Sequence, residues 1–275
     1  MVSKISFPAE IAMTPAAAQL HDVQSVLAPA HVEVLLDLSI FVSCYNEEPY
    51  IINTLETIRG SLEEVGDVRY EIIVIDDCSH DRSANLVEDY IRKRPDERIL
   101  LLRNKVNRGW AQNYYDAAFI GKGKYYRTMC GDDSEPKDTI IAIFRELGKA
   151  DMLIPYYVAS EGRSLYRRFL SAAFVNLVNA ITGNRLHYYN GLAVHLRYNV
   201  MRWHSHTRGF GFQADLICML LDQGFTYKEV PVMTVERKGA LSTAISFRNL
   251  LSVAHTLIDL ILRRIANRAY RQGEY

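Results

Sequence analysis

Five short apolar runs, each set off by a stretch of helical periodicity, constrain this chain more than any other feature. Leu38–Ser43, Tyr70–Ile75, Ile99–Leu102, Tyr125–Met129 and Met152–Pro155 read as buried strands. Pro49–Val65, Arg82–Arg94, Trp110–Ile120 and Lys137–Leu147 lie between them and read as helices, the first with Ile51, Leu55, Ile58 and Leu62 on one face. Apolar strands alternating with amphipathic helices predict an α/β fold, a mostly parallel sheet with helices on both faces.

In such a sheet, ligands collect outside the carboxyl ends of the strands. The polar clusters fall there: Tyr45-Asn46-Glu47, Asp76-Asp77, Asn104 to Gly109, and Asp132-Asp133. Two acidic side chains at the tip of a buried strand are costly unless a cation sits beside them. A divalent metal holding a diphosphate meets that need, because Mg²⁺ is usually bound by one or two carboxylates plus phosphate oxygens. The expected class is an enzyme acting on a nucleotide-linked substrate.

The second half differs in texture. Leu165–Ile181 reads as an apolar helix with Arg163, Arg167 and Arg168 near its start. Leu192–Val194 and Glu229–Val232 read as strands, and Phe212–Leu221 as a helix. From Phe247 to Ile265 the pattern is amphipathic, with Leu251, Ile258 and Ile265 on one face and His255, Asp259 and Arg263 on the other. That apolar face has two possible partners, the rest of the domain or a bilayer interface. The expected division is an extension over 1–36, one domain over 37–243, and an amphipathic helix with a basic tail over 244–275.

Lys+Arg and Asp+Glu both number 32, so there is no general electrostatic reason to bind nucleic acid. Four cysteines without CxxC or zinc spacing suggest no disulfide framework and a reducing, cytoplasmic compartment. Cys44, Cys78 and Cys130 fall at strand ends and could approach one another as a soft-metal or redox site, though buried cysteine is commonly a small hydrophobe. The N-terminus has no signal-peptide pattern, and no apolar run is long enough to span a membrane.

The clusters resemble the inverting family-2 glycosyltransferases of GT-A fold, a Rossmann-like architecture, and most of all dolichyl- or polyprenyl-phosphate mannose or glucose synthases. Phe41 to Glu48 is similar to the P-x-Y-N-E-E strand end, with Ser43 in place of proline. Val74 to Asp81 is similar to V-D-D-G-S-x-D, with Cys78 in place of glycine. Asn107-Arg108-Gly109 matches N-x-G, and Asp132 the second acid of D-x-D, whose first falls at Cys130. Phe210 to Asp215 and Glu229 to Val232 resemble late acceptor-side blocks. Arg237 to Thr243 resembles R-x-x-G-x-S-K, with Ala240 at the glycine and Thr243 at the lysine.

The resemblance implies a donor site built from Ser43, Tyr45, Asn46, Glu47, Asp76, Asp77, Asn107, Gly109, Asp132 and Asp133. Mg²⁺ or Mn²⁺ would sit on Asp132 and Asp133. Arg167, Arg168, Arg237, Lys238 and Ser242 would meet an acceptor phosphate. The catalytic group would be Asp132, Asp215 and Arg237, with Asp215 as base only if the acceptor is a hydroxyl. Transfer of a hexose from a nucleoside-diphosphate sugar to a polyprenyl phosphate at the cytoplasmic membrane face is expected, with a membrane surface or membrane protein as partner. Two alternatives stay open: a glycan hydroxyl as acceptor, and an inactive nucleotide-sugar-binding homologue, suggested by Cys130 and Thr243. GDP and UDP donors are not distinguished.

Overall fold

A computed structural model describes residues 36–95, 98–161, 165–203, 211–235 and 247–271. Residues 35–275 form one compact unit. The expected extension over 1–36 lies almost wholly outside the described residues, as do Arg163, Arg237, Lys238, Ser242 and Thr243.

The elements run β1 (Leu36–Cys44), α1 (Ile51–Val65), β2 (Tyr70–Asp76), α2 (Ser83–Arg92), β3 (Ile99–Arg103), α3 (Trp110–Ile120), β4 (Gly123–Cys130), α4 (Lys137–Phe144), β5 (Met152–Glu161), α5 (Leu165–Thr182), β6 (Val194–Leu196), α6 (Arg197–Arg202), α7 (Phe212–Asp222), β7 (Tyr227–Val235) and α8 (Phe247–Arg271). The seven strands form one sheet in the order β3-β2-β1-β4-β6-β5-β7. β1, β2, β3 and β4 are mutually parallel, as are β5 and β7, while β6 runs antiparallel to both β4 and β5. The mostly parallel α/β sheet read from the sequence is therefore the observed one.

β1 sends apolar side chains to both faces because helices cover both. Leu38, Ile40 and Val42 of β1 point into a core shared with Leu55 of α1, Val87 of α2 and Phe144 of α4. Phe41 points into the opposite core, with Tyr114 of α3, Val178 of α5, Val200 of α6, Phe212 of α7 and Leu260 of α8. α1 stops at Gly66, whose φ of 71° turns the chain while its N–H returns to the Leu62 carbonyl at 3.0 Å.

Two features differ from the sequence reading, and a third, the seating of α8, is one the sequence leaves open. The strand expected over Leu192–Val194 lies two residues later and is antiparallel, being only three residues long. α6 was not foreseen, because six residues are too few to display a helical period. In α8 the apolar stripe does not pack on the domain. The helix is seated by Thr256 and Leu260 and by Arg263 and Arg264, while Ile258, Leu262 and Ile265 face outward. The reason is α7, which meets α8 with Asp215 and Asp222, two carboxylates two turns apart on one face.

Candidate active site

β1 has β2 on one side and β4 on the other, so the order of strands reverses between β1 and β4. That reversal opens a crevice at their carboxyl ends. The ladders continue past the strands and tie the loops together. The Gly131 N–H donates to the Ser43 carbonyl at 2.8 Å, Asp77 N–H to Cys44 at 2.8 Å, and Asn104 N–H to Asp76 at 2.9 Å. Ser43 to Glu47, Asp76-Asp77, Asn104 to Gly109 and Gly131 to Asp133 thus meet along one rim.

Asp76 and Asp77 are both buried, and their side chains do different things. Asp77 Oδ1 accepts from the Asn104 amide at 2.8 Å and the Arg108 N–H at 2.8 Å, and its Oδ2 from the Gly109 N–H at 2.9 Å. Burial works against its charge, but these donors outweigh it and hold the carboxyl below the usual carboxylate range. Asn113 joins the network by accepting from Asn104 at 2.8 Å, and Asn107 donates to the Asp77 carbonyl at 3.2 Å. Gly109, at φ 82°, makes the turn into α3. Asp77 therefore shapes the Asn104–Gly109 loop. Among the described residues, Asp76 instead accepts from the Ser79 N–H, at Oδ2 and 3.2 Å, while its buried Oδ1 has no hydrogen-bond partner. An orphaned carboxylate oxygen in a crevice awaits a donor. Cys78, at the glycine position of the resembled motif, takes the left-handed conformation that a glycine would, φ 66°.

The loop after β1 is pinned to the loop after β2. The Asn46 N–H donates to Ser79 Oγ at 2.9 Å, and its side-chain oxygen accepts from the His80 N–H at 2.8 Å. The Glu47 N–H donates to Ser83 Oγ at 2.8 Å. Asp81 serves the start of α2, accepting from the Ser83 N–H at 2.9 Å. Tyr45 is exposed, its ring edge-on to His80.

The Asp132–Asp133 pair divides. Asp133, at φ 54°, folds back onto α1, with one carboxylate oxygen bonded by the Asn53 amide and the other by Thr57 Oγ1 at 3.3 Å. Thr54, buried on α1, donates to the Gly131 carbonyl and accepts from the Asp133 N–H, both at 2.9 Å. Asp132 stays at the rim, its Oδ1 accepting from the Ser134 N–H at 3.2 Å. Cys130 is pushed up to about 12, first by burial and then by the charges of Asp132, Glu135 and Glu47. It is a neutral thiol at neutral pH, as is Cys44, also pushed to about 12. Among the described residues no three His, Cys, Asp or Glu side chains gather as a metal site.

Asn53, Thr54, Asn104 and Asn113 carry no motif signal, and neither does a buried pair beneath the Asp132 loop. Arg127 is fully buried on β4. It donates to Glu135 at 2.5 Å and to the Leu192 carbonyl at 3.0 Å, and lies over the Phe144 ring. The alternation of β4 predicts an apolar residue at this position, which is why the sequence hides it.

Asp215 lies in the first turn of α7, buried. One oxygen pairs with Arg263 of α8 and the other accepts from Trp203 Nε1 at 3.0 Å. Taking a proton at either oxygen would disturb a contact. Arg168 on α5 is exposed; the Arg167 side chain is outside the described residues. The structure thus brings the loops after β1, β2, β3 and β4 together along one rim and places Asp215 in the contact between α7 and α8.

The family model "Glycosyl transferase family 2" matches residues 39–210. A dolichyl-phosphate β-glucosyltransferase of Dictyostelium discoideum is 39% identical over 92 residues, 32% of this chain and 28% of the relative. An undecaprenyl-phosphate 4-deoxy-4-formamido-L-arabinose transferase of Edwardsiella ictaluri is 23% identical over 232 residues, 82% of this chain and 66% of the relative. The chain so spans less than two thirds of either relative's length. A solved mannosyltransferase of Pyrobaculum calidifontis, in complex with GDP-Man and Mn²⁺, superposes with a TM-score of 0.56 at 19% identity, over 85% of this chain and 67% of that one. At that identity the likeness is one of fold.

Proposed function

Because the chain belongs to glycosyl transferase family 2, we propose that it is an inverting hexosyltransferase. It moves the sugar of a nucleoside diphosphate to a polyprenyl phosphate at the cytoplasmic face of a membrane. The observation that carries the donor half is the β1/β4 crevice with the unpartnered Asp76 oxygen on its wall and Asp132 on its rim. Asp76 accepts from the N–H or O–H donors of the base or ribose. Asp77 does not touch the nucleotide; with Asn107 and Gly109 it holds the loop that borders it.

The donor set suits a hard divalent cation. Asp132 is an oxygen ligand in a negative field that Glu47 and Glu135 share, and such a cation takes its remaining oxygens from a diphosphate and water. Cys130 contributes no thiolate, and Asp133 is engaged on α1, so Asp132 is the assigned ligand for Mg²⁺ or Mn²⁺. When bound, the ion offsets the charge that develops on the departing diphosphate.

The state of Asp215 bears on the acceptor. A phosphate monoester has a second pKa of about 6 and is largely ionised at neutral pH, so it attacks the anomeric carbon without a base. A hydroxyl acceptor would need one. The candidate base is paired with Arg263 and bonded by Trp203, which favours the phosphate. Arg167, Arg168, Arg237, Lys238 and Ser242 remain the residues proposed to meet it. The names of the two curated relatives, a dolichyl-phosphate and an undecaprenyl-phosphate transferase, agree with this choice.

The test is transfer of radiolabelled hexose from GDP- and UDP-sugars, with Mn²⁺, to a detergent-dispersed polyprenyl phosphate. Lipid-linked sugar is expected from one donor. Transfer only to a glycan hydroxyl would overturn the acceptor, and no transfer from any donor would favour an inactive nucleotide-sugar-binding protein.

A further inference from the structure

The loop that carries Asp132 is pinned on one flank by α1. Thr54 bonds Gly131 and Asp133, and Asn53 and Thr57 hold the Asp133 carboxylate. Gly131 lies so close to β1 that a Cβ there would meet the Ser43 carbonyl oxygen at 2.6 Å. None of these contacts reaches Ser134, Glu135 or Pro136, which lead from Asp132 into α4. That far flank is tied by a charge. Glu135 Oε1 accepts from Nη2 of Arg127, three residues before the end of β4. The same guanidinium donates through Nε to the Leu192 carbonyl at 3.0 Å and lies over the ring of Phe144, the last residue of α4. Leu192 stands just before β6, in a segment wedged against β5: a Cβ on Gly191 would come within 2.4 Å of the Pro155 carbonyl oxygen. One side chain thus joins β4, the loop beyond Asp132, the segment before β6 and α4.

Stability does not account for this arrangement. The Arg127 side chain is 0% exposed and that of Glu135 20%. Taking a guanidinium out of water is costly, and a buried ion pair often stabilises no more than apolar side chains of similar volume. The pair is also incompletely satisfied. Arg127 Nη1 and Glu135 Oε2 are buried without a hydrogen-bond partner among the described residues. Tyr125 and Met129, on the same face of β4, are core residues, as is Ile40, the register partner of Arg127 on β1. An apolar residue would fill this position. What the ion pair adds is direction, because a planar guanidinium fixes where its partner lies and dispersion contacts only fill space.

We propose that Arg127, through Glu135, is a positioning residue for the metal-binding loop, holding the Asp132 carboxylate where a divalent cation and a diphosphate require it. The proposal rests on the assignment of Asp132 as the metal ligand. A ligand carried on a loop adds the cost of ordering that loop to binding, and a contact that fixes the loop beforehand removes the cost. The path is short. The Ser134 N–H donates to Asp132 at 3.2 Å, so a shift of Glu135 reaches the carboxylate through one residue.

The test compares the full chain with three variants: Glu135→Gln, Glu135→Ala, and Arg127→Met combined with Glu135→Met. The double variant puts apolar side chains of similar length in place of the pair, so its thermal midpoint should equal or exceed that of the wild type. Glu135→Ala cuts the tie at its partly exposed end and repeats the test should the double variant not fold. Glu135→Gln keeps an oxygen that accepts from Arg127. The readouts are amide hydrogen exchange of residues 131–136 in the free protein, and calorimetric titration of Mn²⁺ with GDP or UDP present. In the double variant and in Glu135→Ala, exchange in this loop should quicken while the core strands stay protected. Mn²⁺ affinity should fall by roughly tenfold or more, as it does when a partner that orients a metal ligand is lost. Nucleotide affinity without metal should be unchanged, and Glu135→Gln should stay near the wild type in every readout. Wild-type exchange and wild-type Mn²⁺ affinity in the variants that cut the tie would overturn the proposal. A lower midpoint with unchanged Mn²⁺ affinity would overturn it too, by marking the pair as purely structural. So would a Glu135→Gln that loses Mn²⁺ affinity with its loop still protected, because Glu135 would then act by its charge alone. A wild type that binds nucleotide indifferently to Mn²⁺ defeats the metal reading, and loop exchange, which needs no metal, then decides the tie by itself.

Discussion

Asp77 accepts three hydrogen bonds within the protein, so its replacement tests a turn rather than a ligand contact. In Asp77→Asn an amide group faces backbone N–H donors that need an acceptor. The expected cost is about 1–3 kcal/mol, read as a thermal midpoint lowered by several degrees. The sign with pH follows from its lowered position. The stabilisation is complete above the ordinary carboxylate range and is lost as pH falls through the folded value, so the variant should lose less than the wild type on acidification. His195 behaves differently. Burial, partly opposed by a contact to Gln213, takes it from 6.5 to about 4. Only the unfolded chain gains that proton between those values, so stability is complete above 6.5 and falls toward pH 4 by on the order of 3 kcal/mol. Urea unfolding of His195→Gln at several pH values should show a flatter profile; an unchanged slope would remove His195 from the account. The acids at the rim are legible as chemistry from residue type and position. Which of two adjacent acids serves a ligand is not, because Asn104, Arg108 and Gly109 find Asp77 only in three dimensions.

α8 is the element whose behaviour departs most from its pattern. Periodicity shows that two faces exist but not which one the domain will meet. That choice is made by Asp215 and Asp222 on α7, a distant helix in sequence. Arg263→Met leaves a buried carboxylate with one N–H donor and no cation, and should cost about 3–5 kcal/mol, seen as a lower midpoint in urea. Adding Asp215→Asn should recover part of the loss, because the stranded charge is then gone. If the two losses simply add, the pair is not coupled. α6 escapes a sequence reading, and the strand read at Leu192–Val194 is misplaced by two residues in β6, for a plainer reason: six and three residues carry too few periods to fix a state or its bounds.

At the scale of the molecule, alternation of strand and helix leads to parallel pairing, and parallel pairing puts the polar ends of β1, β2, β3 and β4 along one edge. That is why the fold and the crevice are legible from local pattern. The antiparallel insertion of β6 and the inverted seating of α8 depend on contacts between remote segments and are not. The account stands or falls on the crevice being a metal-assisted nucleotide site. The most direct measurement is a calorimetric titration of wild type and Asp132→Ala with GDP and with UDP, each with and without Mn²⁺. Predicted is tight binding of one nucleotide to the wild type that depends on Mn²⁺ and loses that dependence in Asp132→Ala. Binding indifferent to Mn²⁺, or equally metal-dependent binding in both proteins, would contradict it.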